Sequence, residues 1–289
     1  MDEIRPFRTA IADNSRWQNF KPKPDDIYVC TPAKCGTTWT QTIVANLLWP
    51  ADELPAPVMW LCPWIEAMFN PEKEMLEHLA SQQHRRAIKT HSPADCIPWF
   101  DDAKYVFVVR DGRDAFMSLV NHMSRMKHMD LLNESAASQG VQKLPEYTGD
   151  PHAFFEAWLA LEDEFFGMIN SYWQRKCQDN VLFVHYNDLK TDLEGEVQRL
   201  ADFLDIELTR EHLARVLERS SFDYMRNHPE MVGDMQMFEG GLKGFIFKGT
   251  NGRWKEILTE DELIRYQNAV EQRFSPEIAA WVEGGRRTD

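Results

Sequence analysis

The stretch DDIYVCTPAKCGTTWTQTIVANLL, residues 25–48, holds a strand, a tight loop and a helix in succession. Ile27, Tyr28, Val29 and Cys30 form an apolar run rich in β-formers between Asp26 and Pro32, the pattern of a strand buried in a parallel sheet. From Trp39 onward, Trp39, Ile43, Val44, Leu47 and Leu48 fall at helical spacing. The loop between them, Pro32-Ala33-Lys34-Cys35-Gly36-Thr37-Thr38, is therefore expected at a helix N-terminus with unpaired amides. Those amides, the positive end of the helix dipole, a glycine, a lysine and two hydroxyls favour a phosphate-like anion.

The loop differs from GxxxxGK[ST], in which Lys directly precedes Ser or Thr; here Lys34 precedes Gly36 by two residues and the usual Mg²⁺ hydroxyl is displaced. Neither Cys30 nor Cys35 has an Arg close behind it, so a phosphatase cradle on a nucleophilic Cys is not indicated. An ordinary turn without a ligand stays open on this stretch alone.

The whole chain narrows the setting. With 289 residues, ten Trp and seventeen Phe, it has enough apolar mass for one well-buried domain over residues 1–289. A net charge of −14 argues against nucleic acid and anionic membranes as partners, so an anionic ligand needs a local basic pocket. Five cysteines, Cys30, Cys35, Cys62, Cys96 and Cys177, without a CxxC pair fit a reducing compartment, and a cytoplasmic location is expected. There is no signal-peptide pattern and no apolar run near the roughly 18 residues that cross a bilayer, so membrane insertion is not expected.

Residues 1–25 read as a polar surface lead-in. The segment from Pro50 to Phe69, dense in Pro, Trp and Met, either lines a pocket or caps the core, and Trp60, Trp64, Phe69 and Trp99 are pocket candidates. RRAIKT at 85–90 predicts a second strand with Lys89 and His91 at its end, where ligands gather in open parallel sheets. The run 105–109 predicts a third strand, ending in Arg110-Asp111-Gly112-Arg113-Asp114 and a helix that carries Ser118. Arg110 and Ser118 suit a second phosphate, Asp111 is a weaker Mg²⁺ candidate, and plain ion pairing explains the charges equally well.

Residues 129–150 lose periodicity and read as a loop. A helix is expected after the Asp150-Pro151 cap, a strand at 181–184 leading to Tyr186, and helices near 194–204, 210–219 and 260–273, the last opening on a Thr259–Glu262 capping box. Residues 226–253 are glycine-rich and carry Lys243, Lys248 and Arg253. Alternating strands and helices give an α/β class, a single domain with a mainly parallel central sheet flanked by helices.

Three ordered motifs, TPAKCGTTW at 31–39, KTH at 89–91 and RDGRDAFMS at 110–118, together resemble the cytosolic-type sulfotransferases that use 3′-phosphoadenosine 5′-phosphosulfate (PAPS). SSFDYM at 220–225 and FKGTNGRWK at 247–255 extend the resemblance over most of the chain. It implies a P-loop-like fold and transfer of a sulfonate from PAPS to a hydroxyl of a small, largely apolar acceptor, without a metal. It also implies that Lys34, Cys35, Gly36, Thr37 and Thr38 hold the 5′-phosphosulfate, that Trp39 stacks on adenine, and that Arg110 and Ser118 take the 3′-phosphate. Tyr186, Ser220, Phe222, Phe247, Lys248 and Gly249 complete the implied nucleotide site. His91 is the implied base, with Lys34 and Lys89 stabilising the leaving oxygen and the sulfonate.

Two departures stand out. Phe247 replaces a usual Arg, leaving Lys243 or Arg253 as the substitute cation, and Cys35 replaces a usual Ser. A thiol beside Lys34 at a helix N-terminus is expected to have a lowered pKa and to be oxidisable. The family's dimerisation segment is only half matched at Lys255–Ile264, so no dimer is inferred. Two other functions stay open: an ATP-dependent phosphotransferase, and a nucleotide-binding regulator without turnover.

Overall fold

The computed structural model describes residues 4–51, 53–161 and 163–286. It has four strands: β1 (Ile27–Cys30), β2 (Ala87–Thr90), β3 (Lys104–Val109) and β4 (Val181–His185). They lie in the order β2-β1-β3-β4, and every pairing is parallel. Cys30 pairs with both Thr90 and Phe107, so β1 and β2 end level and their following segments leave from one edge. That edge carries residue 31, residue 91 and, two residues further along β3, residue 110.

The strands are apolar throughout because both faces are covered. Ile27, Val29, Val106 and Val108 face one core, under the helices Thr37–Leu48, Leu193–Phe203 and Arg210–Arg219. Tyr28, Cys30, Tyr105, Phe107 and Val109 face the other, against Phe116, Phe155, Ile169 and Tyr266. The period-two alternation of a strand assigns the faces. The expected single α/β domain with a parallel central sheet is the observed architecture.

Several local expectations are corrected. The lead-in is not merely a surface segment: Trp17 and Phe20 are buried and Trp17 lies 5.8 Å from the Tyr28 ring, while residues 1–3 lie outside the described residues. Residues 129–150 are not all loop, since Met129–Ser138 is helical. It is anchored by Asn133, whose Oδ1 accepts from the Leu144 amide at 2.9 Å. Helices Glu72–Ser81 and Pro276–Gly284 complete the coat, and short helices Pro229–Val232 and Gly241–Phe245 interrupt the glycine-rich segment. The Asp150 cap and the Thr259–Glu262 capping box form as expected.

Candidate active site

The anion loop is built where β1 stops. Gly36 caps the helix Thr37–Leu48 at φ 108°, and Lys34 also has a positive φ of 68°. A Cβ at Gly36 would come within 2.9 Å of the Tyr186 ring, so glycine here permits both the turn and the close approach. The Thr37 and Thr31 hydroxyls are 2.5 Å apart. Thr38 is half-buried, and its carbonyl accepts from Thr42 Oγ1 at 2.8 Å.

His91 leaves β2 beside this loop. Its Nδ1 is 2.6 Å from the Thr31 carbonyl oxygen, which can only accept, so Nδ1 carries the proton and Nε2 keeps a lone pair. Burial, then the positive charge of Lys89, holds the imidazole well below its ordinary range, and it is neutral at pH 7. Trp64 packs edge-on against this ring at 4.9 Å, and Lys89 Nζ lies 4.4 Å from the Trp64 ring. Burial lowers Lys89 to about 8 and Lys34 to about 7, the charges of Lys89 and Arg110 adding to the effect on Lys34. A pocket that crowds cations until they shed protons is poised for an anion.

The residues expected to take a nucleotide also converge. Arg110 donates from Nη2 to Asn251 Oδ1 at 2.7 Å and to the Thr250 carbonyl at 3.1 Å, and its guanidinium lies 4.1 Å over the Tyr186 ring. Its Nε is buried without a hydrogen-bond partner among the described residues. Trp39 meets Tyr186 edge-on at 5.2 Å and donates to the Ser220 carbonyl at 2.8 Å, while the Ser220 hydroxyl is buried without a hydrogen-bond partner among the described residues. Phe222 covers Gly249, where an added Cβ would stand 2.7 Å from its ring. Ser118 is half-buried on the helix Gly112–Arg125, next to Met117, whose carbonyl accepts from Arg253 Nη2 at 3.3 Å.

Around the missing Arg, Phe247 lies beneath Arg125 at 4.5 Å and Lys248 at 5.4 Å. Lys243 is exposed, whereas Arg253 is half-buried and its pKa is pushed down by burial and then by the nearby charge of Arg110. Asp111 caps its helix and accepts from Arg113 Nη2 at 2.6 Å, so its charge is already committed to structure.

Two expectations fail. Cys35 is not an activated thiol: its side chain is fully buried, and burial pushes its pKa up to about 12 despite nearby Arg110 and Lys34. Trp99 is not at the pocket; it stacks on Tyr105 at 3.7 Å and is covered by Arg175, near the opposite end of the sheet. Of the other aromatic candidates, Trp60 is 60% exposed and Phe69 is 48% exposed. Phe69 reaches Trp64, at 5.7 Å. The sequence alone assigns no role to Thr31, His122, Arg125 and Asn251. For His122 a signal existed, since it lies one turn beyond Ser118 on the same helix face.

The profile described as "Sulfotransferase domain" matches residues 24–276. The chain belongs to the sulfotransferase family. A glycolipid sulfotransferase of Mycobacterium bovis (strain BCG / Pasteur 1173P2) is 29% identical, with 97% of this chain and 94% of that protein covered. Human sulfotransferase 1C2 is 26% identical, covering 93% and 90% respectively. Among solved structures, mouse sulfotransferase SULT7A1 complexed with PAP aligns with TM-score 0.71 and 20% identity over 93% of this chain and 90% of that one. A retinol dehydratase in complex with retinol and PAP aligns with TM-score 0.70 and 21% identity, covering 92% and 87%. These structural likenesses support the sulfotransferase fold.

Proposed function

We propose that this sulfotransferase moves the sulfonate of PAPS to a hydroxyl of a small, largely apolar molecule, with His91 as base. The observation that carries the reading is the His91 tautomer: Nδ1–H is spent on the Thr31 carbonyl at 2.6 Å, leaving the Nε2 lone pair to take a proton. PAPS supplies an activated sulfonate when bound, and the residues present fit it. The loop can take the 5′-phosphosulfate, the spare Arg110 Nε and Arg253 suit a 3′-phosphate, and the Ser220 hydroxyl is free for the nucleotide.

In this reading Lys34 and Lys89 offer fixed positive charge to the oxygens of the transferring group, and little reorganisation is needed as charge develops. Trp64, beside both His91 and Lys89, is the aromatic wall placed to hold an apolar acceptor. The mycobacterial relative's description as a glycolipid sulfotransferase makes a lipid-bearing hydroxyl an acceptor class to test. The commitment of Asp111 to Arg113 gives no support to an ATP-dependent phosphotransferase. We place the protein in the cytoplasm: all five cysteines are free thiols, and among the described residues no helix is long and apolar enough to cross a membrane.

Thermal unfolding tests the nucleotide assignment. PAP (3′-phosphoadenosine 5′-phosphate) at about 100 times its Kd should add roughly 2.7 kcal/mol, with ADP at the same concentration adding much less. Equal stabilisation by ADP, or a response only to Mg²⁺·ATP, would overturn it.

A second test is calorimetric. Lys34 near 7 and Lys89 near 8 are partly neutral at pH 8, and an anion beside them favours their charged forms. PAP binding at pH 8 should therefore take up about one proton, read from buffers of different ionisation enthalpy. Proton release would show that these lysines do not face the ligand.

A further inference from the structure

We propose that His122 is the positioning residue for Lys34: its Nδ1 accepts a hydrogen bond from Lys34 Nζ, holds the amine at the mouth of the anion loop and strengthens its grip on its proton. The inference rests on the reading of Lys34 as a cradle cation. The contact is 3.0 Å long and joins the loop after β1 to the helix Gly112–Arg125, elements 88 residues apart in sequence. Among the described residues no carboxylate pairs with Lys34, and the Phe245 ring lies 4.8 Å from Nζ.

The imidazole is itself held. Its ring packs 4.6 Å from Phe238 and 5.8 Å from Phe245. Those aromatics come from a segment clamped to the end of the same helix, where Lys127 N donates to the Met237 carbonyl and Glu239 N to the Arg125 carbonyl, both at 2.8 Å. A hydrogen bond in which Nδ1 accepts fixes the proton on Nε2 and requires a neutral ring. The ring stays neutral because it is buried and because the titratable groups that face it, Lys34, Lys89 and His91, would each repel it when protonated. A neutral acceptor bonded to a buried ammonium favours the charged lysine, whereas burial alone drives the proton off. His122 thus counteracts the desolvation that the cradle imposes on Lys34.

The test uses the full chain without nucleotide. The pH dependence of Lys34 labelling by an amine-selective reagent, read by mass spectrometry, reports its protonation. His122→Phe keeps the aromatic packing and removes the acceptor, and it should lower the labelling midpoint by about one pH unit. His122→Asn keeps an oxygen acceptor near the Nδ1 position and should restore the midpoint. At pH 8, PAP should bind about fivefold or more weakly to His122→Phe and nearly normally to His122→Asn.

An unchanged midpoint in a His122→Phe protein that melts like wild type would overturn the proposal, as would an equal shift in both variants. Protection of wild-type Lys34 by PAP checks the underlying reading separately. Protection with an unmoved midpoint rejects the role of His122 alone, and no protection rejects the role of Lys34.

Discussion

His91→Ala should slow sulfonate transfer by about 10³-fold while leaving PAP affinity within about threefold of wild type, because a general base contributes to the transition state and not to nucleotide binding. His91 touches the Thr31 carbonyl, the Thr31 hydroxyl at 3.3 Å and the Trp64 ring, and no contact ties it to Arg110 or Tyr186. Turnover and affinity should therefore separate. Single-turnover transfer from PAPS to a responsive acceptor, paired with calorimetric PAP binding, checks both numbers. Transfer at the wild-type rate would remove His91 from the chemistry; equal losses of rate and affinity would make it a structural residue.

The pH profile gives the same assignment a second handle. As the proposed base His91 would act when neutral, and burial with Lys89 and Lys34 holds its proton affinity well below the ordinary histidine value. The acid limb of kcat/KM should thus lie below about pH 6.5, with the rate falling only as pH drops further. On the alkaline side the sign reverses, because Lys34 and Lys89 act when charged and in the free protein lose protons near 7 and 8. A plateau through pH 9 in kcat/KM for PAPS would contradict that role for the lysines.

How far the sequence spoke for itself depended on whether local pattern and burial agreed. β1 and β3 were legible because both faces are covered, so every position is apolar and no alternation blurs the run. β2 is two residues shorter than the pattern at 85–90 predicts: Arg86 is buried beside Asp26, and that pair, rather than the strand ladder, closes its first end. The helix Met129–Ser138 escaped because its buried residues are Asn133 and Ala136, which give no apolar period. Trp17 and Phe20 were hidden in a polar context for a similar reason.

At the site, residue types at strand ends suggest an anion cradle, and the ordered motifs assign its expected parts. Charge balance was beyond reach. For Cys35, the neighbouring Lys34 argued for a thiolate, but full burial outweighs one cation, and only the packed structure gives that sign. Trp99 shows the same limit for shape: an aromatic that stacks on Tyr105 and one that faces a pocket have the same composition. The helical period places His122 one turn beyond Ser118, but its contact with Lys34 needs the crossing of two distant segments, which no local period encodes.

Arg110→Ala should weaken PAP by about 10²-fold, or roughly 2.7 kcal/mol, as expected for losing charge-assisted hydrogen bonds in a partly desolvated pocket. ADP, which lacks the 3′-phosphate, should lose far less. The ratio decides the matter, because Arg110 also pins the loop at Thr250 and Asn251 and stacks over Tyr186. A loosened loop would weaken both nucleotides alike, whereas a lost 3′-phosphate contact weakens only PAP. Arg110→Lys sharpens the distinction: it keeps the charge but not the planar fork that can hold Asn251 while its unpartnered Nε faces a ligand. That variant should fall between wild type and alanine for PAP and lose less affinity for ADP than for PAP. If the PAP-to-ADP affinity ratio is the same in wild type and Arg110→Ala, the 3′-phosphate lies elsewhere, and Arg253 beside the same pocket becomes the residue to replace next.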